Sequence, residues 1–400
     1  MENNEVIQNF SEEYYDVKSL KKYVFYPIYC FSKKVGIPNF DNKDQTNDCR
    51  SKFTKIFLLI IFVLPLIATF IYHLIIGKKY TFLSLRNLEN SLISLYYIHS
   101  IIALLIYNNL KNTNFFINFI KHLKEYKEIR IVPSFSVERN FSKIKVKLFI
   151  FWFLFLVSFI YETILNFVDY EKNSSDDKQY KLSKLYGKST YIIDALLLFY
   201  AKLIIVISAT IYSCIYGTLD FEAEAFGKEC QEFFEKTPSI HLENINVISL
   251  KHTKFFKLVT FSHQIVGKYT DLAVFNCTMM IVYGISVYRF YSSTASDTIY
   301  AIQYLLAIFC VIYLEVILLL PICFMDKSLQ NIKNTILNNP ILWDMKNTQL
   351  HGLALSMVTR SDHCEYHGLL MGLIPLNDKT IPLLLIVVVI LTSLLGTAVL

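Results

Sequence analysis

The residues most able to do chemistry include two histidines four positions apart, His363 and His367, in the sequence HCEYH. On a helix they would share one face and could hold a metal ion. A single pair lacks the third and fourth ligands of a metal site, so we expect a packing or polar face here, with no metal and no cofactor. HExxH, GxSxG, GxGxxG and phosphate-loop motifs are also missing, and we expect no enzyme.

Two charged residues, Lys202 and Glu315, stand inside long apolar stretches. An unpaired charge at the middle of a bilayer costs about 2.5–3.5 kcal/mol, so a partner is expected. Counting along a helix from the outer ends of their segments places them at similar depths, roughly 18 and 22 Å. We predict an ion pair between them that fixes helix register, with a role in ligand binding or conduction as the alternative.

A second group of polar and aromatic residues lies nearer the outer ends of the same segments. Such residues are typical of a small-molecule pocket, although tyrosines also gather at membrane interfaces for other reasons. Asp194 is the strongest candidate, because it lies inside an apolar segment. The tentative pocket residues are Tyr161, Glu162, Asp194, Tyr288, Gln303 and Tyr304.

The segments that carry these residues indicate a membrane protein. Of 400 residues, 54% are hydrophobic, 15% aromatic and 18% charged, and the mean hydropathy is +0.40. A bilayer core needs about 20 mostly apolar helical residues to cross it. Seven windows satisfy this and predict an all-α protein with seven transmembrane helices, at about 56–76, 88–107, 148–168, 190–217, 272–291, 299–325 and 380–400.

The distribution of Lys and Arg predicts the orientation of these helices. One side of the membrane would carry 29 Lys and Arg residues and the other side nine, and Arg289 is counted among the nine. Positive segments stay cytoplasmic, so we expect the N-terminal segment 1–55 inside and the C-terminus outside. Transmembrane helices 1–4 fall in 56–217 and helices 5–6 in 272–325. The connections 218–271 and 326–379 have helical spacing and would form a cytoplasmic base.

The cysteines and the net charge agree with this arrangement. None of the eight cysteines falls in a predicted outer loop, so a disulfide framework is not expected. The sequon at Asn173 is the one in a predicted outer loop and could be glycosylated. The net charge of +6 is explained by the inward-facing segments, so nucleic acid is not expected as a partner.

The last predicted helix, 380–400, follows Lys379 and contains no charged residue. Its small and weakly polar residues share one face: Thr392, Ser393, Gly396 and Thr397. Close packing between helices explains such a strip. A wall of a water-filled path explains it equally well, and the sequence leaves both interpretations open.

The order of these parts resembles the insect gustatory receptor family, with the odorant receptors as close relatives. The C-terminal stretch GLLMGLIPLNDKTIPLLLIVVVILTSLLGTAVL is similar to the family's final motif, in which Leu376-Asn377 and Thr392 match. Ser393, Val399 and Leu400 stand where the family has Tyr, Gln and Phe. FYPIYCFSKKVGIPNF at 25–40 is similar to the family's segment before the first span.

This resemblance implies a chemosensory, ligand-gated, non-selective cation channel whose last helices surround the pore. It implies a homo- or hetero-tetramer held together by the cytoplasmic helices, with a small-molecule tastant bound between helices in the outer half of the membrane. Val399 and Leu400 would then fall at the gate. The implied location is the dendritic cell membrane of sensory neurons.

Other classes fit the sequence less well. A G-protein-coupled receptor would have its N-terminus outside, against the distribution of Lys and Arg. Transporters tend to show internal repeats and broken spans, and neither is evident. An odorant-receptor-like or non-chemosensory membrane protein stays open as an alternative, because the final motif departs from the family pattern.

Overall fold

The computed structural model describes residues 63–75, 84–112, 114–132, 142–172, 191–236, 241–293, 298–344, 347–363, 369–370, 374–375 and 380–399. The N-terminal segment, Asn173, His367 and Leu400 lie outside these ranges. The described chain forms nine α-helices: α1 (Val63–Ile75), α2 (Leu85–Asn112), α3 (Phe115–Lys127), α4 (Ser142–Lys172), α5 (Tyr191–Lys236), α6 (Leu242–Ser292), α7 (Thr298–Leu337), α8 (Thr348–His363) and α9 (Thr380–Val399).

Among the described residues, five helices are long and apolar enough to cross a membrane. They contain Asn87–Tyr107, Ile144–Leu165, Ala195–Lys236, Leu242–Ser292 and Thr298–Leu337. The predicted first and last spans appear as the shorter apolar helices Val63–Ile75 and Pro382–Leu394 within the described residues. The helical membrane fold is therefore confirmed, while seven spans and the orientation of the termini stay predictions.

Three helices are much longer than a membrane is thick. α5, α6 and α7 have 46, 51 and 40 residues, so α6 alone is about 76 Å long, against a hydrocarbon core of about 30 Å. The excess lies at one end of the bundle, since α5 and α7 end where α6 begins. We call this end the base: α3, residues 218–236 of α5, 242–271 of α6, 326–337 of α7, and α8.

The core runs the length of the bundle between α2, α5, α6 and α7. α7 packs along both α5 and α6, and α2 packs against the same two helices. Buried tyrosines at this junction keep hydrogen-bond partners: Tyr107 donates to the Ser208 carbonyl at 2.6 Å, and Tyr212 accepts from Thr270 at 2.6 Å. Each of these tyrosines buries a large aromatic ring in the core while its hydroxyl keeps a hydrogen-bond partner, as buried tyrosines usually do.

Local sequence explains where several elements begin and end. Asn114 separates α2 from α3 in the left-handed conformation, with φ 49°, which asparagine tolerates better than most residues. A 3-10 turn at Pro340–Trp343 follows α7, and the Asn339 side chain accepts from the Ile341 amide at 3.1 Å. A two-residue antiparallel pairing of Leu369–Leu370 with Ile374–Pro375 precedes α9.

Candidate functional site

The charged centre of the candidate site is an ion pair between α4 and α5. Lys202 Nζ lies 2.5 Å from Glu162 Oε2, and the two side chains are 14% and 15% exposed. The ammonium also lies 4.9 Å from the centroid of the Tyr96 ring on α2, within range of a cation–π interaction. Three helices thus present an acid, a base and an aromatic face to one small region.

The predicted pairing of Lys202 with Glu315 is wrong. Glu315 Oε1 instead accepts a hydrogen bond from Thr278 Oγ1 on α6 at 3.0 Å. The helix lengths explain the difference. We call the end of the bundle opposite the base the outer end, because the sequence predicts that it lies outside the cell. Glu162 and Lys202 both lie about 15 Å from the outer ends of α4 and α5, whereas Glu315 lies about 25 Å along α7. Glu315 remains a buried carboxylate, 9% exposed.

A second polar cluster lies closer to the outer end, where Glu89 of α2 meets two tyrosines. Glu89 Oε1 accepts from Tyr291 of α6 at 2.6 Å and from Tyr304 of α7 at 3.0 Å. The two rings stack with centroids 5.5 Å apart, and Tyr300 lies 5.5 Å from Tyr291. Of this cluster the sequence predicted only Tyr304.

The other predicted pocket residues are spread over the outer ends of the helices. Tyr161 donates to the Ile299 carbonyl at 3.1 Å and so ties α4 to the start of α7. Tyr288 packs half-buried against the core, and Gln303 is half-buried on α7. Asp194 lies on α5, but its side chain is outside the described part of the chain.

The terminal helix α9 packs against α6 by one narrow stripe. Thr380, Leu384, Val388 and Thr392 follow at intervals of four residues and are 1%, 8%, 9% and 6% exposed. Thr392 therefore faces α6, and its hydroxyl donates to the Val388 carbonyl at 2.7 Å. This placement argues against Thr392 as a wall of a conduit and fits the packing interpretation of that residue.

Ser393, the next residue of the predicted strip, lies on the exposed surface of α9, and its hydroxyl donates to the Val389 carbonyl at 2.7 Å. The neighbouring exposed residues are apolar, with Val389 62% and Leu394 61% exposed. Gly396 and Val399 continue the helix, but their side chains are outside the described residues. Ser393 is thus the one predicted polar wall residue whose side chain is described and open.

The base is held together by buried charges that the sequence analysis did not foresee. Lys127 pairs with Glu222 at 3.3 Å and Lys251 with Glu229 at 2.5 Å, all four side chains being buried. Glu229 Oε1 also accepts the Ile131 amide at 2.8 Å. Because Glu222 and Glu229 are seven residues apart, they share one face of α5, and this spacing was the available signal.

A histidine joins α8 to α6 within the base. Arg360 Nη1 lies 3.1 Å from His252 Nδ1, and Ser361 Oγ lies 3.3 Å from Nε2. Since the guanidinium can only donate, His252 Nδ1 accepts and the ring is neutral. Burial, with a smaller effect of the Arg360 charge, lowers the pKa of His252 to about 3.

Comparison with solved structures identifies the class of fold. The chain is similar to the olfactory receptor OR5 of the insect Machilis hrabei in complex with eugenol, with a TM-score of 0.72 and 12% identity over 96% of this chain and 100% of that one. The same receptor solved without the complex gives 0.69 and 12% over 95% and 99%. The chain thus shares the fold of an insect olfactory receptor, and the fold implied by the resemblance in the sequence is confirmed.

The family model that matches the chain covers residues 30–392 and is described as Caenorhabditis protein of unknown function, DUF267. The chain belongs to this family. No curated protein matches it.

Proposed function

We propose that this protein is a chemoreceptor that acts as a ligand-gated ion channel in the cell membrane. In this proposal a small molecule binds between α2, α4 and α5, and copies of α9 from several subunits surround the ion path. The observation that carries the proposal is the partly open Glu162–Lys202 pair beneath the Tyr96 ring, in a fold shared with a receptor solved with eugenol.

The chemistry of this region suits a ligand with a ring and a hydroxyl or similar polar group. Lys202 can donate, Glu162 can accept, and the Tyr96 ring can pack against an aromatic or aliphatic ligand. A ligand hydroxyl that inserts between the two charges competes with their pairing and changes how α4 sits on α5. Such a ligand opens the channel only if it binds the open arrangement more tightly than the closed one.

The assembly and topology belong to the same proposal. We infer seven spans with the N-terminus inside, a homo- or hetero-tetramer joined through the base, and conduction of cations without strong selectivity. A tastant as ligand and the dendritic membrane of sensory neurons as location complete the proposal.

The test is ion flux through the purified protein in liposomes, where no G protein is present. The probes are eugenol, a sugar, an amino acid and an aliphatic amine, each added to vesicles loaded with a cation-sensitive dye. We expect at least one probe to evoke flux. Swapping the charges, Glu162→Lys with Lys202→Glu, should weaken the response to that probe by about tenfold or more, whereas the exposed control Lys228→Met should not.

Two results would contradict the proposal. One is a purified particle that contains a single subunit, and the other is vesicles that show no cation flux either with any of the probes or without them. The rival class, a G-protein-coupled receptor, makes a different prediction for topology. For a G-protein-coupled receptor, an antibody would label an N-terminal epitope in unpermeabilised cells. For the channel proposed here, the antibody would label that epitope only after the cells are permeabilised.

A further inference from the structure

Arg289 links the outer end of α6 to the terminal helix. It lies in the last turn of α6, its side chain is exposed, and its Nη1 donates to the Thr392 carbonyl of α9 at 3.5 Å. Thr392 itself is buried against α6. The guanidinium therefore lies directly against the α9 backbone, on the part of that helix nearer the outer end.

Few charged residues accompany this cation along its own helix and the helices next in sequence, although the Glu89 carboxylate of α2 accepts a hydrogen bond from Tyr291, two residues further along α6. Residues 380–399 contain no Asp, Glu, Lys or Arg, and among the described residues from 276 to 314 Arg289 is the one charged side chain. Asp297, in the connection between α6 and α7, lies outside the described residues. Arg289 thus brings a positive charge into direct contact with α9.

We propose that Arg289 is a selectivity-determining residue of the channel and disfavours divalent relative to monovalent cations at its outer end. This inference rests on the proposed function, in which α9 borders the ion path. If copies of α9 surround an axis, each brings one guanidinium to the same level, and the copies form a ring of positive charge. A divalent ion is repelled twice as strongly as a monovalent ion by that ring.

The distances allow this effect. A helix with its side chains is about 10–12 Å across, so a charge against the α9 backbone lies within roughly one helix diameter of a path that α9 borders. The Debye length at physiological ionic strength is about 8 Å, and screening is weaker between apolar helices. Arginine side chains and fixed positive dipoles serve as electrostatic barriers to cations in other pores.

A membrane-interface role is the alternative for Arg289, since basic residues also anchor helix ends at the headgroups and complement the negative end of a helix dipole. Those roles would affect assembly but not the ratio of ion permeabilities. The permeability ratio and its dependence on salt therefore separate the two explanations.

The experiment measures reversal potentials with Ca²⁺ on one side and Na⁺ on the other, for the full-length purified protein in planar bilayers. We expect the wild type to pass Na⁺ better than Ca²⁺. Arg289→Gln should raise the Ca²⁺/Na⁺ permeability ratio by about threefold or more, with a larger change at low ionic strength. Arg289→Lys keeps the charge, so its permeability ratio should stay near that of the wild type. The control Lys268→Gln removes an exposed charge from the part of α6 in the base, and its ratio should also stay near the wild-type value.

An unchanged ratio in Arg289→Gln, in channels that still conduct, overturns the role of Arg289 and leaves the channel proposal intact. A wild type that passes Ca²⁺ better than Na⁺ overturns it as well, whether or not the variants assemble. A wild type that carries no current with any probe or without one refutes the channel proposal itself.

Discussion

The Glu162–Lys202 pair allows a quantitative test of the packing of α4 against α5. Replacing only Glu162 by Leu leaves Lys202 charged in an apolar region, and replacing only Lys202 by Met leaves the carboxylate in the same position. Replacing both removes the two charges together. The three variants and the wild type form a double-mutant cycle.

The expected magnitudes follow from the geometry. At 2.5 Å and an effective dielectric constant of about 20, the attraction is about 6–7 kcal/mol, but removing two ions from water offsets most of it. Removing one partner of a buried pair costs about 3–5 kcal/mol, and the partial exposure of this pair favours the lower end. The double variant should be within about 1 kcal/mol of the wild type, because apolar replacements of such pairs are often neutral.

The assay heats the purified protein in detergent and measures the fraction that remains folded by size-exclusion chromatography with fluorescence detection. The control is the exposed Lys228–Glu224 pair, whose side chains are 56% and 53% exposed and whose single changes should cost under about 0.5 kcal/mol. If the effects of Glu162→Leu and Lys202→Met simply add in the double variant, the two charges are not coupled and the described pairing is refuted.

Further predictions concern the helix contacts and the base. Gly284→Ala should destabilise the protein by about 1–3 kcal/mol, because the added Cβ would lie 2.9 Å from Ile308 Cγ1 at the α6–α7 contact. Gly352→Ala has open space around its Cβ and should stabilise α8 by about 0.5–1 kcal/mol. Thermal unfolding checks both, and equal changes in unfolding temperature for the two variants would contradict the described α6–α7 contact. The pKa of His252 is lowered to about 3 in the folded protein, so its contribution to stability is complete above about pH 6.5 and declines as pH falls through 6.5 toward 3. Hydrogen exchange in α8 should therefore rise between pH 7 and pH 5 after correction for the intrinsic rate, and His252→Asn should remove this rise, whereas an unchanged pH dependence in that variant would show that another group is responsible.

The helical membrane fold was predictable because long apolar windows admit few alternatives in a bilayer. The base was predicted as helical for a similar reason, since apolar residues recur at three- and four-residue spacing in 218–271. Its buried Lys–Glu pairs were not predicted. A charged residue in a sequence is compatible with both solvent and a buried partner, and only the tertiary contacts decide between them.

The errors in the candidate site come from helix ends and helix rotation. The sequence placed the end of the third span near residue 168, whereas α4 runs to Lys172, so Glu162 lies about one turn deeper than expected. Glu89 stands at the edge of the predicted window 88–107, but α2 begins one turn earlier at Leu85. Its burial comes from the contacts with Tyr291 and Tyr304, which the sequence of α2 alone does not indicate. Thr392 and Ser393 are neighbours on the predicted strip, but a rotation of 100° separates them, and this separates a buried from an exposed residue.

The central claim is that copies of α9 border a water-filled ion path, with Ser393 toward the path and Thr392 toward α6. Single cysteines placed at these two positions, in a protein whose response to a charged, water-soluble thiol reagent is first measured without them, test the claim directly. We predict that the reagent blocks ion flux through the Ser393→Cys protein and leaves the Thr392→Cys protein unaffected. Block at Thr392→Cys, or flux that continues unchanged when Ser393→Cys is treated, would contradict it.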